Sequence, residues 1–116
     1  MGTFSGYPIC LVTMTGAKSG RRRIVPLMYV PNGETVILVA SQGGNPKHPV
    51  WYYNLVAHPE IVVEQGGRRR ELTARLVDAD EKSRLWPICV EHYDPYEKYQ
   101  KRTARDIPVF VCEPDA

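Results

Sequence analysis

The sequence of 116 residues lacks an apolar run approaching the roughly 20 residues needed to cross a bilayer. It also has no signal-peptide core before Gly20. Its cysteines, Cys10, Cys89 and Cys112, are odd in number and form no C-x-x-C pair. This pattern is typical of reduced thiols rather than of a disulfide framework. These absences predict a cytoplasmic protein.

Motifs for metals, nucleotides and nucleophilic catalysis are missing as well. His48, His58 and His92 do not form a recognisable metal motif, because they are far apart in the sequence and lie in different kinds of secondary structure. The run Gly16-Ala17-Lys18-Ser19 resembles part of a P-loop, but the required earlier glycine is absent and a strand follows. G-x-S-x-G and Cys–His signatures are also absent. We therefore predict no metal site.

Charge is nearly balanced, with 15 basic and 13 acidic residues and a formal net charge of +2. A dedicated nucleic-acid-binding protein normally carries a larger basic excess. Local basic patches that serve a small anionic ligand are therefore favoured, and no nucleic-acid partner is predicted. The length predicts a single domain, residues 1–116, with one core.

The densest basic patch is the segment from Thr13 to Pro26, which places Lys18 and Arg21–Arg23 beside Gly16 and Gly20. The glycines are expected to let backbone N–H groups converge on an anion, while the cations supply charge. One interpretation is therefore a site for a phosphorylated ligand. The alternative is a solvated hairpin loop, since runs of charge usually face water.

Apolar and β-branched runs separated by turn residues predict six strands. They are Ile9–Met14, Arg23–Val30, Thr35–Ala40, Ile61–Glu64, Arg70–Val77 and Ile107–Cys112. Short loops join the first three, which predicts an antiparallel meander. Pro26 marks an edge, a bulge or a strand end, because proline cannot donate to a ladder. In the fifth strand Leu72, Ala74 and Leu76 are expected to face the core.

Helices are predicted at three places between these strands. One is Trp51–Ala57, closed by His58-Pro59. The second opens at Asp78, with Glu81 completing a capping box, and runs towards Val90. A short third helix begins at Asp94-Pro95. Six antiparallel strands with helices on the side indicate a mainly β (α+β) fold, a small barrel.

Several loops that a barrel can bring together form a recognisable combination. The residues are Thr15 to Gly20, Arg23, Pro26, Ala40-Ser41, Gly43-Gly44, Pro49, Trp51-Tyr52, Asn54-Leu55, His58-Pro59, Tyr93, Tyr96, Tyr99, Ile107-Pro108 and Cys112 to Pro114. This combination closely resembles the deazaflavin-dependent nitroreductase family, over almost the whole chain.

The resemblance implies a six-stranded antiparallel split β-barrel, of the type that binds FMN, holding coenzyme F420. This cofactor is a 5-deazaflavin with a phosphate and an oligoglutamate tail. Lys18, Ser19 and Arg23 would bind the phosphate and the tail by charge-assisted hydrogen bonds. The implied cofactor-binding residues are Ala17, Lys18, Ser19, Arg23, Ile24, Val25, Pro26, Leu27, Met28, Val39, Ala40, Ser41, Gln42, Val50, Trp51, Tyr52, Tyr53, Asn54 and Tyr96.

The resemblance also implies an F420H2-dependent reductase of quinones, with nitroaromatics or activated enones as incidental acceptors. Tyr96 is the expected proton donor or oxyanion ligand, with Tyr93, Tyr99 and Ser41 as further catalytic candidates. The alternative for the tyrosines is that they anchor a broken helix to the barrel.

Two departures from the family pattern bear on the site. Some relatives have an aromatic residue in place of Met28 and a lysine in place of Gln42. The substrate side is therefore expected to differ and one tail contact to be missing. Larger relatives carry an N-terminal amphipathic segment for peripheral membrane contact, which this sequence lacks as given; a homodimer is a further expected state.

Two other functions stay open from the sequence. One is an FMN-dependent oxidoreductase on the same split barrel. The other is a nucleic-acid-binding barrel, in which Arg21–Arg23 and Arg68–Arg70 would follow phosphates and tyrosines would stack on bases. The small net charge counts against the second.

Overall fold

A computed structural model describes residues 3–4 and 6–114. These residues form eight strands, three α-helices and one 3-10 turn at Gln42–Gly44. The strands are β1 (Thr3–Phe4), β2 (Tyr7–Thr15), β3 (Arg22–Met28), β4 (Val30–Asn32), β5 (Thr35–Val39), β6 (Glu60–Gln65), β7 (Arg68–Leu76) and β8 (Val109–Pro114). The helices are α1 (Val50–Ala57), α2 (Ala79–His92) and α3 (Pro95–Arg102).

The strands form one antiparallel sheet in the order β1-β2-β6-β7-β8-β5-β4, and β3 pairs with β2. Successive segments β3 and β4 thus lie at opposite ends of the sheet, although only Tyr29 separates them. The Tyr29 amide still donates to the Pro8 carbonyl, whereas Val30 already pairs with Ile37. The sheet therefore curls into a barrel that is split at Tyr29.

This change of partner corrects the predicted strand number from six to eight. The predicted strand Arg23–Val30 divides into β3 and β4, and β1 adds a short strand. Propensity cannot detect the division, because both halves are extended and differ only in the strand they pair with. The expected split β-barrel architecture is confirmed, and Pro26 lies on β3, which pairs with β2 alone among the described strands.

Instead of the single core that the length predicts, two apolar cores lie on opposite faces of β5. Val36 and Leu38 belong to the core inside the barrel, together with Trp51 and Phe110. The intervening Ile37 and Val39 belong to a second core under α2 and α3. Burial on both faces explains why this strand reads as a nearly continuous apolar run.

Local details also follow from the sequence, with one exception. The Asp78 side chain accepts a hydrogen bond from the Glu81 amide at 2.9 Å, which confirms the predicted helix cap. Leu72 and Ala74 are buried as expected. Leu76 is 46% exposed, because it is the last residue of β7 and its side chain lies beyond the edge of the core. No helix of the described residues is long and apolar enough to cross a bilayer.

Candidate active site

An apolar cavity of about 570 Å³ lies where β3, the start of α1, the turn at Gln42–Gly44, Tyr93 and the tyrosines of α3 meet, and Ile9 of β2 also lines it. Five separate parts of the chain therefore contribute to its lining. The lining residues are Ile9, Val25, Pro26, Leu27, Met28, Val39, Ser41, Gln42, Gly43, Pro49, Trp51, Tyr93, Tyr96 and Tyr99. The cavity is suited to a flat apolar ring with a few polar groups at its edge.

The three tyrosine hydroxyl groups at the cavity differ in their hydrogen bonding. The Tyr93 and Tyr99 hydroxyls form a hydrogen bond with each other at 2.9 Å. The Tyr96 hydroxyl bonds to no described residue, yet no buried side-chain oxygen in the described chain lacks a partner. Although Tyr96 as a whole is only 3% exposed, its hydroxyl therefore keeps some solvent contact, and Tyr96 is one of the residues that line the cavity.

Burial keeps the Tyr93 and Tyr96 phenols protonated at neutral pH. It raises the pKa of Tyr96 far above the ordinary value, with smaller contributions from nearby thiols and phenols. Burial, and then the hydrogen bond with Tyr99, raises the pKa of Tyr93 to about 12. Tyr96 is thus a neutral hydrogen-bond donor that faces the cavity without a competing partner.

The turn at Gln42–Gly44 reaches the tyrosines because it packs unusually closely on α3. Gln42, Gly43 and Gly44 have φ values of 44°, 62° and 80°. A Cβ atom on Gly44 would lie 2.8 Å from the Tyr99 carbonyl oxygen and 2.9 Å from the Cβ of Arg102. Only glycine fits this contact. The preceding residue, Ser41, is thereby held in the wall of the cavity, 8% exposed.

A second cavity, of about 560 Å³, is lined by the basic turn and by α1. Its residues are Gly16, Ala17, Lys18, Ser19, Arg23, Val50, Tyr53 and Asn54. Lys18, Ser19 and Arg23 are exposed, so their polar groups can reach a ligand directly. This cavity offers two cations and a hydroxyl to an anion.

The two glycine amides of this turn are not available to an anion. The Gly16 amide donates to the Arg21 carbonyl, and the Gly20 amide donates to the Gly16 carbonyl. The Ala17 amide donates to Asn54 Oδ1 at 2.8 Å. The two glycine bonds close the turn on itself, and the Ala17 bond connects it to α1. Anion binding must therefore depend on side chains, and on the amides of Lys18 and Ser19, which bond to no described residue.

Asn54 connects the basic turn to α1. It is 6% exposed, and it accepts from Ala17 while its Nδ2 lies 3.5 Å from Met14 Sδ. A buried amide with both ends engaged fixes the turn relative to the helix. The cationic side chains are thus presented from a rigid base.

A third cavity, of about 620 Å³, joins the first two. It shares Val25 and Trp51 with the apolar cavity and Arg23, Val50 and Asn54 with the basic cavity. The three form one continuous surface, which we call the cofactor groove. It is apolar and phenolic at one end and cationic at the other.

Most of the predicted cofactor-binding residues lie along this groove, including Ile24 in its middle part. Ala40 and Tyr52 do not line it: Ala40 is fully buried, and Tyr52 packs against Phe110 and His48. Five further lining residues are missing from the predicted set. They are Ile9, Gly16, Arg22, Gly43 and Pro49. Gly16 and Arg22 belong to the basic turn already recognised in the sequence, whereas the other three have side chains without a charge or a hydrogen-bonding group.

The described residues offer neither a metal site nor a reactive thiol. No cluster of three or more potential metal ligands occurs among residues 3–4 and 6–114. Cys10, Cys89 and Cys112 are buried, and burial raises the pKa of the Cys10 and Cys89 thiols to about 11 and of Cys112 to about 12. These thiols remain protonated and unreactive.

A split barrel with a groove that is apolar at one end and cationic at the other can accommodate a flat ring with an anionic tail. Comparisons with known proteins identify the family to which the chain belongs. The chain belongs to the F420H(2)-dependent quinone reductase family, whose sequence profile matches residues 1–114. The family is one of oxidoreductases, and its cofactor is coenzyme F420, as the resemblance predicted.

Individual relatives agree with this assignment. The F420H(2)-dependent quinone reductase Rv1261c of Mycobacterium tuberculosis is 40% identical over 107 residues, which cover 90% of this chain and 72% of that protein. The solved structure of an F420-H2-dependent reductase, FDR-A, is 48% identical with a TM-score of 0.85, covering 91% of this chain and 94% of that chain. A structure described as a domain-swapped dimer is also 48% identical, with a TM-score of 0.86 and coverages of 91% and 80%.

Proposed function

We propose that this chain is a single F420-binding domain that passes a hydride from F420H2 to a quinone, and reduces nitroaromatics and activated enones less efficiently. The observation that supports this most strongly is the polarity of the cofactor groove. One end is apolar and the other carries exposed cations. A ring with an anionic tail is the ligand that matches both ends.

The residues fit the cofactor in shape and in charge. Val25 and Leu27 on β3 would contact one part of the ring, with Ser41 and the turn at Gln42–Gly44 opposite. Lys18 and Arg23 would pair with the phosphate and the tail carboxylates. Trp51 lies where the apolar and middle cavities meet, so it would separate the ring from the tail.

When bound, the deazaflavin supplies a hydride rather than single electrons, because carbon replaces the flavin N5. The protein orients the acceptor against the ring and excludes water through its apolar wall. Hydride addition to a quinone builds negative charge on oxygen. Tyr96, whose hydroxyl has no competing described partner, would stabilise that oxygen or protonate it, and the Tyr93–Tyr99 pair and Ser41 would complete the polar edge.

The reaction is tested by mixing purified protein with F420H2 and a water-soluble naphthoquinone and following cofactor oxidation by absorbance. A nitroaromatic compound and cyclohexenone serve as the secondary acceptors. Reduced FMN replaces F420H2 in the control. We expect rapid oxidation with the quinone and F420H2 only. Equal rates with reduced FMN, or stoichiometric FMN in the purified protein, would favour the FMN-dependent alternative and overturn the proposal.

Partners other than the acceptor stay predictions. The domain-swapped dimer among the relatives supports a homodimer, which light scattering would detect. The membrane contact is implied by the resemblance alone. A nucleic-acid-binding function would require tight binding of a short oligonucleotide, and we expect none at physiological salt.

A further inference from the structure

Arg105, in the segment between α3 and β8, makes an unusual set of contacts. Its guanidinium donates to the carbonyl oxygens of Ala40 at 3.1 Å, Ser41 at 2.7 Å and Asn45 at 2.8 Å. It also lies 3.0 Å from His48 Nδ1. These four acceptors lie on both sides of the turn at Gln42–Gly44. One side chain therefore ties down both ends of the turn.

Arg105 forms no ion pair with the described residues. No carboxylate of the described residues forms a salt bridge with it, and every one of its partners is a neutral acceptor. The guanidinium is half-buried, and burial lowers its pKa. A partly desolvated cation without a counter-ion is costly, so its hydrogen bonds to the loop must offset that cost.

The backbone of Arg105 is itself held in place. Its amide donates to Thr103 Oγ1 at 3.2 Å, and its carbonyl accepts from Gln100 Nε2 at 2.9 Å. The Gln100 Oε1 atom accepts from the Ile107 amide and from Lys82 Nζ. The guanidinium thus projects from a fixed point at the end of α3, the helix that carries Tyr96 and Tyr99.

The turn that Arg105 holds is under strain. Gln42 has a φ of 44°, a left-handed conformation that costs a non-glycine residue free energy. Without external bonds, the turn could relax and withdraw Ser41 and Gln42 from the cavity wall. Arg102 adds only one long contact, 3.3 Å to the Gly43 carbonyl. Arg105 is the stronger of the two anchors.

We propose that Arg105 is a positioning residue for the proposed reductase: it holds the turn at Gln42–Gly44 in the conformation that completes the ring cavity, and so sets the turnover rate. Arg105 is not itself one of the residues that line the basic cavity. The inference rests on the proposed function, and predicts a selective effect on the ring end of the groove. A misplaced wall on the scale of an ångström can lower a rate by orders of magnitude.

The test compares Arg105→Ala and Arg105→Lys with Lys101→Ala, an exposed cation of α3 that bonds to no described residue. Turnover is expressed per bound F420, so partly unfolded protein does not count. We expect Arg105→Ala to lose about tenfold or more in kcat, with less than about a threefold change in Kd for F420. Arg105→Lys should lose less, and guanidinium added at millimolar concentration should partly restore Arg105→Ala.

A second readout does not depend on activity. Hydrogen–deuterium exchange of the cofactor-free protein should increase over residues 41–48 in Arg105→Ala and stay unchanged over residues 16–23. If Arg105→Ala fails to fold, Arg105→Lys supplies both measurements. Parental kcat and parental exchange in the Arg105 variants would overturn the positioning role. An inactive parent with increased exchange in the variant would instead overturn the proposed function and leave the role of Arg105 intact.

Discussion

The cationic end of the groove gives a prediction with a calculable size. Lys18 and Arg23 are exposed side chains that line the basic cavity, and neither forms an ion pair with a described carboxylate. A charge-assisted hydrogen bond contributes about 1.5–3 kcal/mol, and exposure to water reduces that value. Taking about 1–1.5 kcal/mol each, the double variant Lys18→Ala/Arg23→Ala should bind F420 about 30- to 150-fold more weakly.

The assay is a fluorescence titration with F420 at low and at high salt. The difference between the parent and the double variant should shrink at about 1 M salt, where the Debye length falls to about 3 Å. A deazaflavin without phosphate and tail should bind both proteins equally. The matched control is Arg21→Ala, which removes a cation from the same turn but lines none of the three cavities of the groove.

The outcome that refutes the assignment is parental affinity for F420 in the double variant at low salt. The turn would then be a solvated hairpin, as the alternative interpretation of the sequence holds. A loss of affinity that is equally large for the tail-less deazaflavin would instead mean that the variant distorts the ring cavity.

Three further predictions concern the supports of the groove. Tyr96→Phe should lower turnover about 10- to 100-fold at nearly unchanged Kd for F420, with a smaller effect in Tyr99→Phe, measured by steady-state kinetics. Asn54→Ala should cost about 1–3 kcal/mol in urea unfolding, because it leaves the partly buried Ala17 amide without its acceptor. Gly44→Ala should be more destabilising than Gly33→Ala in the same assay. Both glycines have positive φ, but only Gly44 would place its Cβ within 4 Å of other atoms.

The sequence predicts the ends of the groove well because their residues carry visible chemistry. Lys18, Arg23 and the tyrosines of α3 are recognisable by charge and by aromatic spacing, and the fold places them around connected cavities. The Asp78 cap and the two-sided burial of β5 are likewise local properties. Such features depend on neighbours within a few residues, which a sequence displays directly.

Features set by distant partners could not be predicted in the same way. The break at Tyr29 depends on which strand each half of the segment meets. The amides of Gly16 and Ala17 donate to Arg21 and to Asn54, and Asn54 is 37 residues away from Ala17. Arg105 is a single arginine in a loop, without a motif, although its contacts reach 65 residues back along the chain.

The hydrogen bonding of the tyrosines decides which of them can act on the acceptor, and how. Regular spacing makes the three phenols equivalent, but the Tyr93–Tyr99 bond leaves Tyr96 alone with a hydroxyl that bonds to no described residue. Because burial raises the pKa of Tyr96 and so disfavours loss of its proton, we expect Tyr96 to act mainly as a hydrogen-bond donor to the developing oxyanion. Its contribution should therefore not titrate near neutrality. The ratio of turnover in the parent to that in Tyr96→Phe is expected to stay constant between about pH 6 and 9. A ratio that changes tenfold across this range would mean that a group with a lower pKa delivers the proton and that Tyr96 only supports it.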